Sequence, residues 1–560
     1  MKPLDPGDLR LAETVHDSIL RSCRNCPDRT ALAGHGGDGP NYSYGVLEET
    51  VLRLAAGLQE RIGGIGSRVG IISGNCPEWA LVYLAGMAAG SIVVPLDAAL
   101  KATELVNFLR VSGIKLIFCS RQWSGPVREI VSLNDPGLEV VVLDDDAESG
   151  WRGLLRPVSE YRKPEVKGDD TAVLIYTSGT TGDPKGVVLT HGNLMANLAS
   201  ISGALEMYAD DVFLSVLPMH HTFEATCGFL FPLLLGLKIV YVRSLKSRDI
   251  IEGIRDNRVT CMIGVPILFE KMYNSINRGI RQQPFYKVAL VKIMHETSRA
   301  AWAVGLKSGK RLFRGLFKKA GLSSLRLLVS GGAPLPSFIA EWFNLAGIDF
   351  LVGYGLTECA PVVTVNRPDD IRFDSVGPAL PGVALKIDDP DRGIGEILVR
   401  GKNNTPGYLD NPEATGELLR EGWLCTGDLG RIERGHLYIT GRRKNLIVTG
   451  GGKNVYPEEI ESLLNLSDSI LESLVIGRKN NQKTGEEIWA IIVPDREYIS
   501  QQAATAAAAS SPDELRKLIE GEIAAVNGRL SDYKRILHFE IRLEEFEKTS
   551  TRKIKRTLYQ

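Results

Sequence analysis

The stretch Tyr176 to Asn193, YTSGTTGDPKGVVLTHGN, limits what this chain can fold into more than any other. It continues the apolar run Ala172 to Tyr176 and leads into Gly186-Val-Val-Leu-Thr190, so it reads as two β-strands joined by a loop, with helical sequence resuming only near His191. The hydroxyls of Thr177, Ser178, Thr180 and Thr181, the glycines Gly179 and Gly182, and Lys185 all crowd into that loop. Many donors at close range, on backbone that lacks Cβ atoms, are what a polyphosphate needs.

A Walker loop would need a second glycine where Pro184 stands and a Ser or Thr where Gly186 follows Lys185, and it would run into a helix. None of the three conditions holds, so the loop reads as a flexible grip between strands. Around it the chain alternates helical and β-rich segments. Up to about residue 170, helical patterns (Leu9 to Cys23, Tyr44 to Ile62) alternate with β runs at Arg68 to Ile72, Ile92 to Leu96, Leu116 to Phe118 and Leu138 to Leu143. The same pattern recurs between Asn193 and Val265, which predicts a doubly wound α/β fold with a second α/β layer. Residues 377–441 change to short glycine-punctuated β runs that fit a small barrel or meander, and a compact α/β tail follows Lys444.

A net charge of −1 on 560 residues gives no reason to expect a nucleic-acid partner. The eight cysteines are scattered apart from Cys23-x-x-Cys26, which has no companion pair at zinc spacing, and free thiols fit a reducing cytosol. The first thirty residues lack the apolar core of a signal peptide. The uncharged stretch Trp79 to Leu96 breaks at Ala89-Gly90-Ser91 and reads as a buried helix running into a buried strand, not as a membrane span.

Two further glycine-bearing segments, Ser330-Gly-Gly-Ala-Pro334 and Gly353-Tyr-Gly-Leu-Thr-Glu358, each follow a strand, where open α/β sheets bind ligands. Each alone would pass for a tight turn. Thr426-Gly-Asp428, Gly441-Arg-Arg-Lys444 and the basic run Lys548 to Arg556 complete the set. In this order, and with the string SGTTGDPKG, the chain resembles the adenylate-forming enzymes: acyl-CoA synthetases, luciferases and peptide-synthetase adenylation domains. The resemblance spans roughly residues 25 to 556 and implies an α/β fold. Residues 1–443 would form a large AMP-binding domain of two α/β subdomains plus a β-barrel near 377–443, and residues 444–560 a small mobile C-terminal α/β domain.

The resemblance also implies roles. The loop Thr177 to Gly182 with Lys185 would hold the phosphates of ATP, Tyr354 would stack on adenine, and Gly331, Gly332, Ala333 and Gly355 would line it. Thr357 and Glu358 would face the phosphates, and a carboxylate can lie there only with a cation between, which makes Glu358 the candidate Mg²⁺ ligand. Asp428 would hold the ribose hydroxyls and Arg442 would reach the nucleotide. Lys553 would bridge substrate carboxylate and α-phosphate, with Lys555 an adjacent competitor and Arg552 standing where the common motif has glycine. Rotation about Lys444 would withdraw Lys553 and bring Gly451 and Gly452 to a pantetheine tunnel for coenzyme A.

The resemblance implies that the substrate to be activated is a small-molecule carboxylic acid. His221, in Met219-His-His-Thr-Phe-Glu224, would border its carboxylate, and the HHTFE pattern resembles long-chain fatty acyl-CoA synthetases. Glu224 lines up with the acidic position by which amino-acid-activating members pair a substrate ammonium, which keeps an amino acid in play beside aryl acids and carrier-protein acceptors. The segment 287–322 is a basic amphipathic insert, with Lys307, Lys310, Arg311, Arg314, Lys318 and Lys319 interleaved with Leu312, Phe313, Leu316 and Phe317. It is read either as a surface helix packed on the body or as a peripheral contact with the inner membrane surface of a cytoplasmic enzyme. The sequence specifies no oligomeric state.

Overall fold

Alternating apolar β runs and amphipathic helices resolve into layered sheets in the computed structural model, which describes residues 4, 11–34, 40–63, 65–134, 137–145, 150–177, 184–391, 393–479, 485–502, 512–548 and 554–560. The chain divides into two units. The first holds residues 1–332, 337–384 and 399–424, and the second residues 333–336, 385–398 and 425–560.

The first unit is built on two sheets. One has seven strands in the order Gly407–Tyr408, Lys185–Thr190, Thr171–Thr177, Ile92–Leu96, Arg68–Ile72, Ile114–Cys119 and Glu139–Val142. Its strands run parallel from Thr171–Thr177 to Glu139–Val142. Lys185–Thr190 and Gly407–Tyr408 add on antiparallel. The near-continuous Val and Ile runs at Arg68–Ile72 and Ile92–Leu96 are what a parallel strand covered on both faces requires. The other sheet has eight strands in the order Val362–Val365, Asp349–Gly355, Leu327–Ser330, Cys261–Gly264, Val212–Ser215, Lys238–Tyr241, Thr30–Ala33 and Asn41–Ser43. The resemblance-based expectation of two α/β layers is met.

Helix Tyr44–Ile62 starts where the Ser43 hydroxyl accepts the Val46 N–H. Pro at the start of Pro77–Ala88 fits that helix's first turn, and the helix is buried along nearly its whole length. Its Trp79 and Tyr83 stack with centroids 5.0 Å apart, and both meet Phe229 edge-on. Phe229 belongs to the wide-turned helical segment Glu224–Leu230 that follows a strand of the other sheet, so the two sheets share one aromatic core. The stretch Trp79 to Leu96 is thus helix and strand, as read from the sequence. Among the described residues no helix is long and apolar enough to cross a membrane.

In the second unit the glycine-punctuated segment contributes to a five-stranded sheet whose antiparallel hairpin Trp423–Glu433 and His436–Arg442 sets Asp428 opposite Arg442. Beyond it, the sheet of Ile470–Lys479, Glu486–Pro494 and His538–Ile541 packs with helices Pro457–Leu464 and Pro512–Asn527 around Ile460, Leu464, Val475, Ile488, Ile519 and Ile523.

Candidate active site

The carboxyl ends of the parallel strands define where the first unit can hold a ligand. Asn75, three residues past Arg68–Ile72, donates to the Ser215 hydroxyl at 3.0 Å and to the Leu217 carbonyl at 2.6 Å, and its Oδ1 accepts the Met219 N–H at 3.0 Å. One side chain from the seven-stranded sheet therefore fixes the loop that leaves a strand of the other. That loop carries His220 and His221, whose rings lie 4.2 Å apart. His220 is buried 3.6 Å from Asp97, and burial lowers its pKa to about 4, so it is neutral at physiological pH.

Lys185 opens its strand opposite Thr177, the last described residue before the glycine-rich loop. Ser178, Gly179, Thr180, Thr181 and Gly182 lie outside the described residues. The lysine's Nζ sits 5.4 Å from the ring centroid of Tyr408, on the edge strand next to its own. The Tyr408 hydroxyl donates to Glu358 Oε1 at 2.8 Å. Burial, and then the Glu358 charge, push the phenol's pKa up, so it remains a donor. The backbone of Glu358 is held as well, its carbonyl accepting the Thr405 N–H at 2.7 Å. An ammonium, a phenol and a carboxylate from three distant segments are thereby grouped beside the loop's two strands.

Glu358 sits in a short 3-10 turn, Thr357–Cys359, just after the strand that ends at Tyr354-Gly355. A Cβ at Gly355 would overlap the Pro361 carbonyl oxygen, so the close return of this chain demands glycine. Gly331 follows strand Leu327–Ser330, and a Cβ there would come within 3.1 Å of the Phe223 ring. The tip of the Phe223 ring thus lies close against backbone expected to line adenine. Gly332 is next to it in the first unit, while Ala333 falls in the short 333–336 piece that groups with the second.

Glu224 is fully buried. Its Oε1 accepts the Ser215 hydroxyl at 2.6 Å, and Gly228 is packed against the carboxyl group. Burial pushes its pKa up to about 8, overriding the Ser215 hydroxyl and the Leu217 N–H, which favour the charged form. Between pH 4.5 and about 8 the folded protein keeps a proton that the unfolded chain has released, so this group makes stability fall as pH rises through that window. Glu224→Gln, which keeps an acceptor for Ser215, is expected to flatten that slope. In thermal unfolding at about pH 5 and about pH 8, its Tm should rise relative to the parent at the higher pH only.

In the second unit Asp428 is buried and pairs with Arg442 Nε at 2.8 Å, while its N–H donates to Thr426 Oγ1 at 3.0 Å. Glu396 accepts the Gly427 N–H at 2.9 Å and pairs with Arg443 at 2.7 Å, which braces the turn holding Asp428. The Lys444 pKa is lowered by burial and then by Arg442, with Arg556 also contributing. Gly451 and Gly452 form the exposed turn between Ile447–Val448 and Asn454–Val455, where Gly452 N–H donates to the Thr449 carbonyl at 2.8 Å. Lys548 and Ile554 face each other in an antiparallel bridge, and Arg556 is anchored to Glu461 and to the Val475 carbonyl. Lys553 lies outside the described residues, and Lys555 is within them.

Tyr408, Asn75 and Glu396 were missed from sequence. Asn75 had a readable signal, a polar residue just past the carboxyl end of a parallel strand. Tyr408 had none, because its strand is two residues long.

Residues 19–409 match the family model described as AMP-binding enzyme. The chain belongs to this family. The enzyme is accordingly an acid–thiol ligase, and its relatives carry that chemistry with different acids. It is 29% identical to the Drosophila melanogaster long-chain-fatty-acid–CoA ligase heimdall over 81% of this chain and 72% of that one. It is 30% identical to feruloyl-CoA synthase from an Amycolatopsis species over 85% of this chain and 87% of that one. The ATP-bound crystal structure of MatB from Rhodopseudomonas palustris superposes with a TM-score of 0.78 at 26% identity, covering 98% of each chain.

Proposed function

We propose that the enzyme is an ATP-dependent acyl-CoA synthetase that activates a medium- or long-chain fatty acid. The substrate carboxylate oxygen attacks the α-phosphorus of ATP, forming the acyl-adenylate and expelling pyrophosphate. The thiol of coenzyme A then attacks the acyl carbonyl carbon, loses its proton, and displaces AMP. Two anions must meet in the first step, so charge neutralisation and in-line positioning are the main demands on the protein.

The observation that carries this reading is the grouping of Lys185, Tyr408 and Glu358 beside the hydroxyl-rich loop. Lys185 is the cation for the departing pyrophosphate. With Oε1 engaged by Tyr408, Glu358 keeps Oε2 for a metal ion. Among the described residues no cluster of three or more His, Cys, Asp or Glu could hold a metal. One carboxylate, completed by phosphate oxygens and water, is the donor set Mg²⁺ accepts. A Mg²⁺ bound there supplies charge neutralisation for the triphosphate. In the second unit Asp428 serves the ribose hydroxyls, Arg442 the nucleotide, and Lys553 the approach of carboxylate to α-phosphate. We assign residues 1–443 to the AMP-binding domain and 444–560 to the C-terminal domain.

Tyr408 orients the Glu358 carboxylate, and removing its hydroxyl leaves the charge but frees the rotor. Tyr408→Phe is expected to lower kcat about tenfold and to raise the Mg²⁺ concentration needed for half-maximal rate, as a Mg²⁺ titration would register.

Glu224 bears on the acid. Its carboxyl is enclosed by Ser215 and Gly228 and is protonated near neutral pH, so it offers no exposed charge to a substrate ammonium. This favours an acid without an α-amino group. The feruloyl-CoA synthase relative keeps an aryl acid as the second reading. A pyrophosphate-exchange screen across fatty, aryl and amino acids tests both, followed by CoA against acyl carrier protein as acceptor. Exchange with fatty acids and acyl transfer to CoA are expected. Exchange confined to aryl or amino acids overturns the assignment.

A further inference from the structure

Charge in this chain is segregated. Between Lys271 and Lys319 there are twelve Lys and Arg residues and one acid, Glu296, although the whole protein is nearly neutral. Two helical segments in this region bury their apolar residues differently. In Arg314–Ala320 and the residue before it, the aromatics interleaved with the basic side chains are turned inward. Phe313 and Phe317 are buried against Trp342, so they are core. The long helix Phe285–Ala303 does the opposite.

Its inner side is fixed to the body, with the buried Ser298 hydroxyl donating to the Leu345 carbonyl at 2.6 Å and the His295 ring edge-on to Phe313. Its outer side carries Tyr286, Leu290 and Ile293 at the i, i+4, i+7 spacing of one helical face, and the same line runs on to Val304. These four are 61%, 53%, 62% and 73% exposed, and Phe285 at the helix start is 84% exposed. Water-facing side chains of this size in one line mark a surface that is covered in use. The helix itself carries Lys287, 6.0 Å from the ring of Tyr286, and exposed Lys292, and the segment that follows adds exposed Lys310, Arg311, Arg314, Lys318 and Lys319; Lys292 and these five are in no ion pair among the described residues.

We propose that the outer face of helix Phe285–Ala303 docks on an anionic lipid bilayer, with Tyr286, Leu290, Ile293 and Val304 entering the headgroup–acyl boundary and the surrounding lysines and arginines meeting lipid phosphates. An apolar stripe on a helix with Lys287 and Lys292, in a segment rich in unpaired cations, complements such a surface in both respects: the stripe loses water, and the cations face opposite charge. A nucleic acid would satisfy the cations and leave the stripe in water, and a second copy of the chain would set cation against cation. This inference rests on these surface residues and not on which acid the enzyme activates.

The test is co-sedimentation of the full chain with vesicles of phosphatidylcholine alone or with added phosphatidylglycerol, in the absence of acid, ATP and CoA. Binding is expected only with phosphatidylglycerol, and it should weaken as salt is raised. The exposed double variant Leu290→Glu, Ile293→Glu is expected to bind about tenfold or more weakly, while its vesicle-free rate with a short soluble acid stays at the parent value. Absence of binding to phosphatidylglycerol vesicles at low salt, or binding undiminished in the double variant, overturns the proposal. A parent protein that is dimeric by sedimentation, made monomeric by the same pair and indifferent to vesicles, overturns it in favour of a second copy. Binding by a variant that has lost all pyrophosphate exchange leaves this inference standing whatever becomes of the fatty-acid assignment.

Discussion

Glu358→Ala is expected to slow ATP–pyrophosphate exchange by about a thousandfold, the scale of losing a preorganised charge in a phosphoryl-transfer site. The side chain has two oxygens in different circumstances. Tyr408 holds one, and the other is the oxygen we propose for a cation. Alanine removes both the carboxylate proposed for the metal and the acceptor of a half-buried phenol, so Tyr408 loses its hydrogen-bond partner. Single-turnover exchange with saturating acid, run across a Mg²⁺ series, separates the two losses. A deficit rescued by excess Mg²⁺ reports weakened metal affinity, and one that persists reports misplacement. An Ala variant within about threefold of the parent would remove Glu358 from the chemistry.

A loss of similar size, but of one half-reaction only, is expected for Lys553→Ala. Adenylate formation should fall by about a thousandfold, because nothing else assigned to the approach of carboxylate and α-phosphate carries a positive charge. Thiolysis of supplied acyl-AMP by CoA needs no such bridge and should change by less than about threefold. Lys555→Ala is the internal control. Its N–H is engaged by the Glu547 carbonyl at 2.8 Å, on backbone anchored by Arg556, and its loss should leave both half-reactions near parent rates. If Lys555→Ala produces the selective defect and Lys553→Ala does not, the roles are exchanged. Equal damage to both half-reactions would withdraw the assignment from either lysine.

What could be read from the sequence was local. Arg68–Ile72, Ile92–Leu96 and Tyr44–Ile62 were legible to the residue, because apolar runs, a Ser cap and flanking glycines mark their ends. Sheet membership was not. Thr30–Ala33 joins the eight-stranded sheet beside Lys238–Tyr241, and no feature of either segment signals a partner two hundred residues away. The insert shows the same limit. Alternation of basic and aromatic residues announced an apolar face at Phe313 and Phe317 but not that Trp342 covers it, and it passed over the face that stays bare. Candidate site residues carried by glycine-rich motifs could be named, since unusual backbone leaves a compositional trace. Their mutual contacts could not. Asp428 and Arg442 received separate nucleotide roles from sequence, yet they are cross-strand neighbours that neutralise each other. Tyr408 links Lys185 to Glu358 through a register no spacing rule encodes.

The two-residue strand Gly407–Tyr408 completes a sheet whose neighbouring strand was made more than two hundred residues earlier. On the ribosome, therefore, the nascent polypeptide can display its glycine-rich loop long before it has a phenol to set beside Lys185, and that lysine stays without its aromatic neighbour until the late edge is added. A fragment ended just short of residue 407 would keep most of the sheet and lack the one side chain that joins lysine to glutamate.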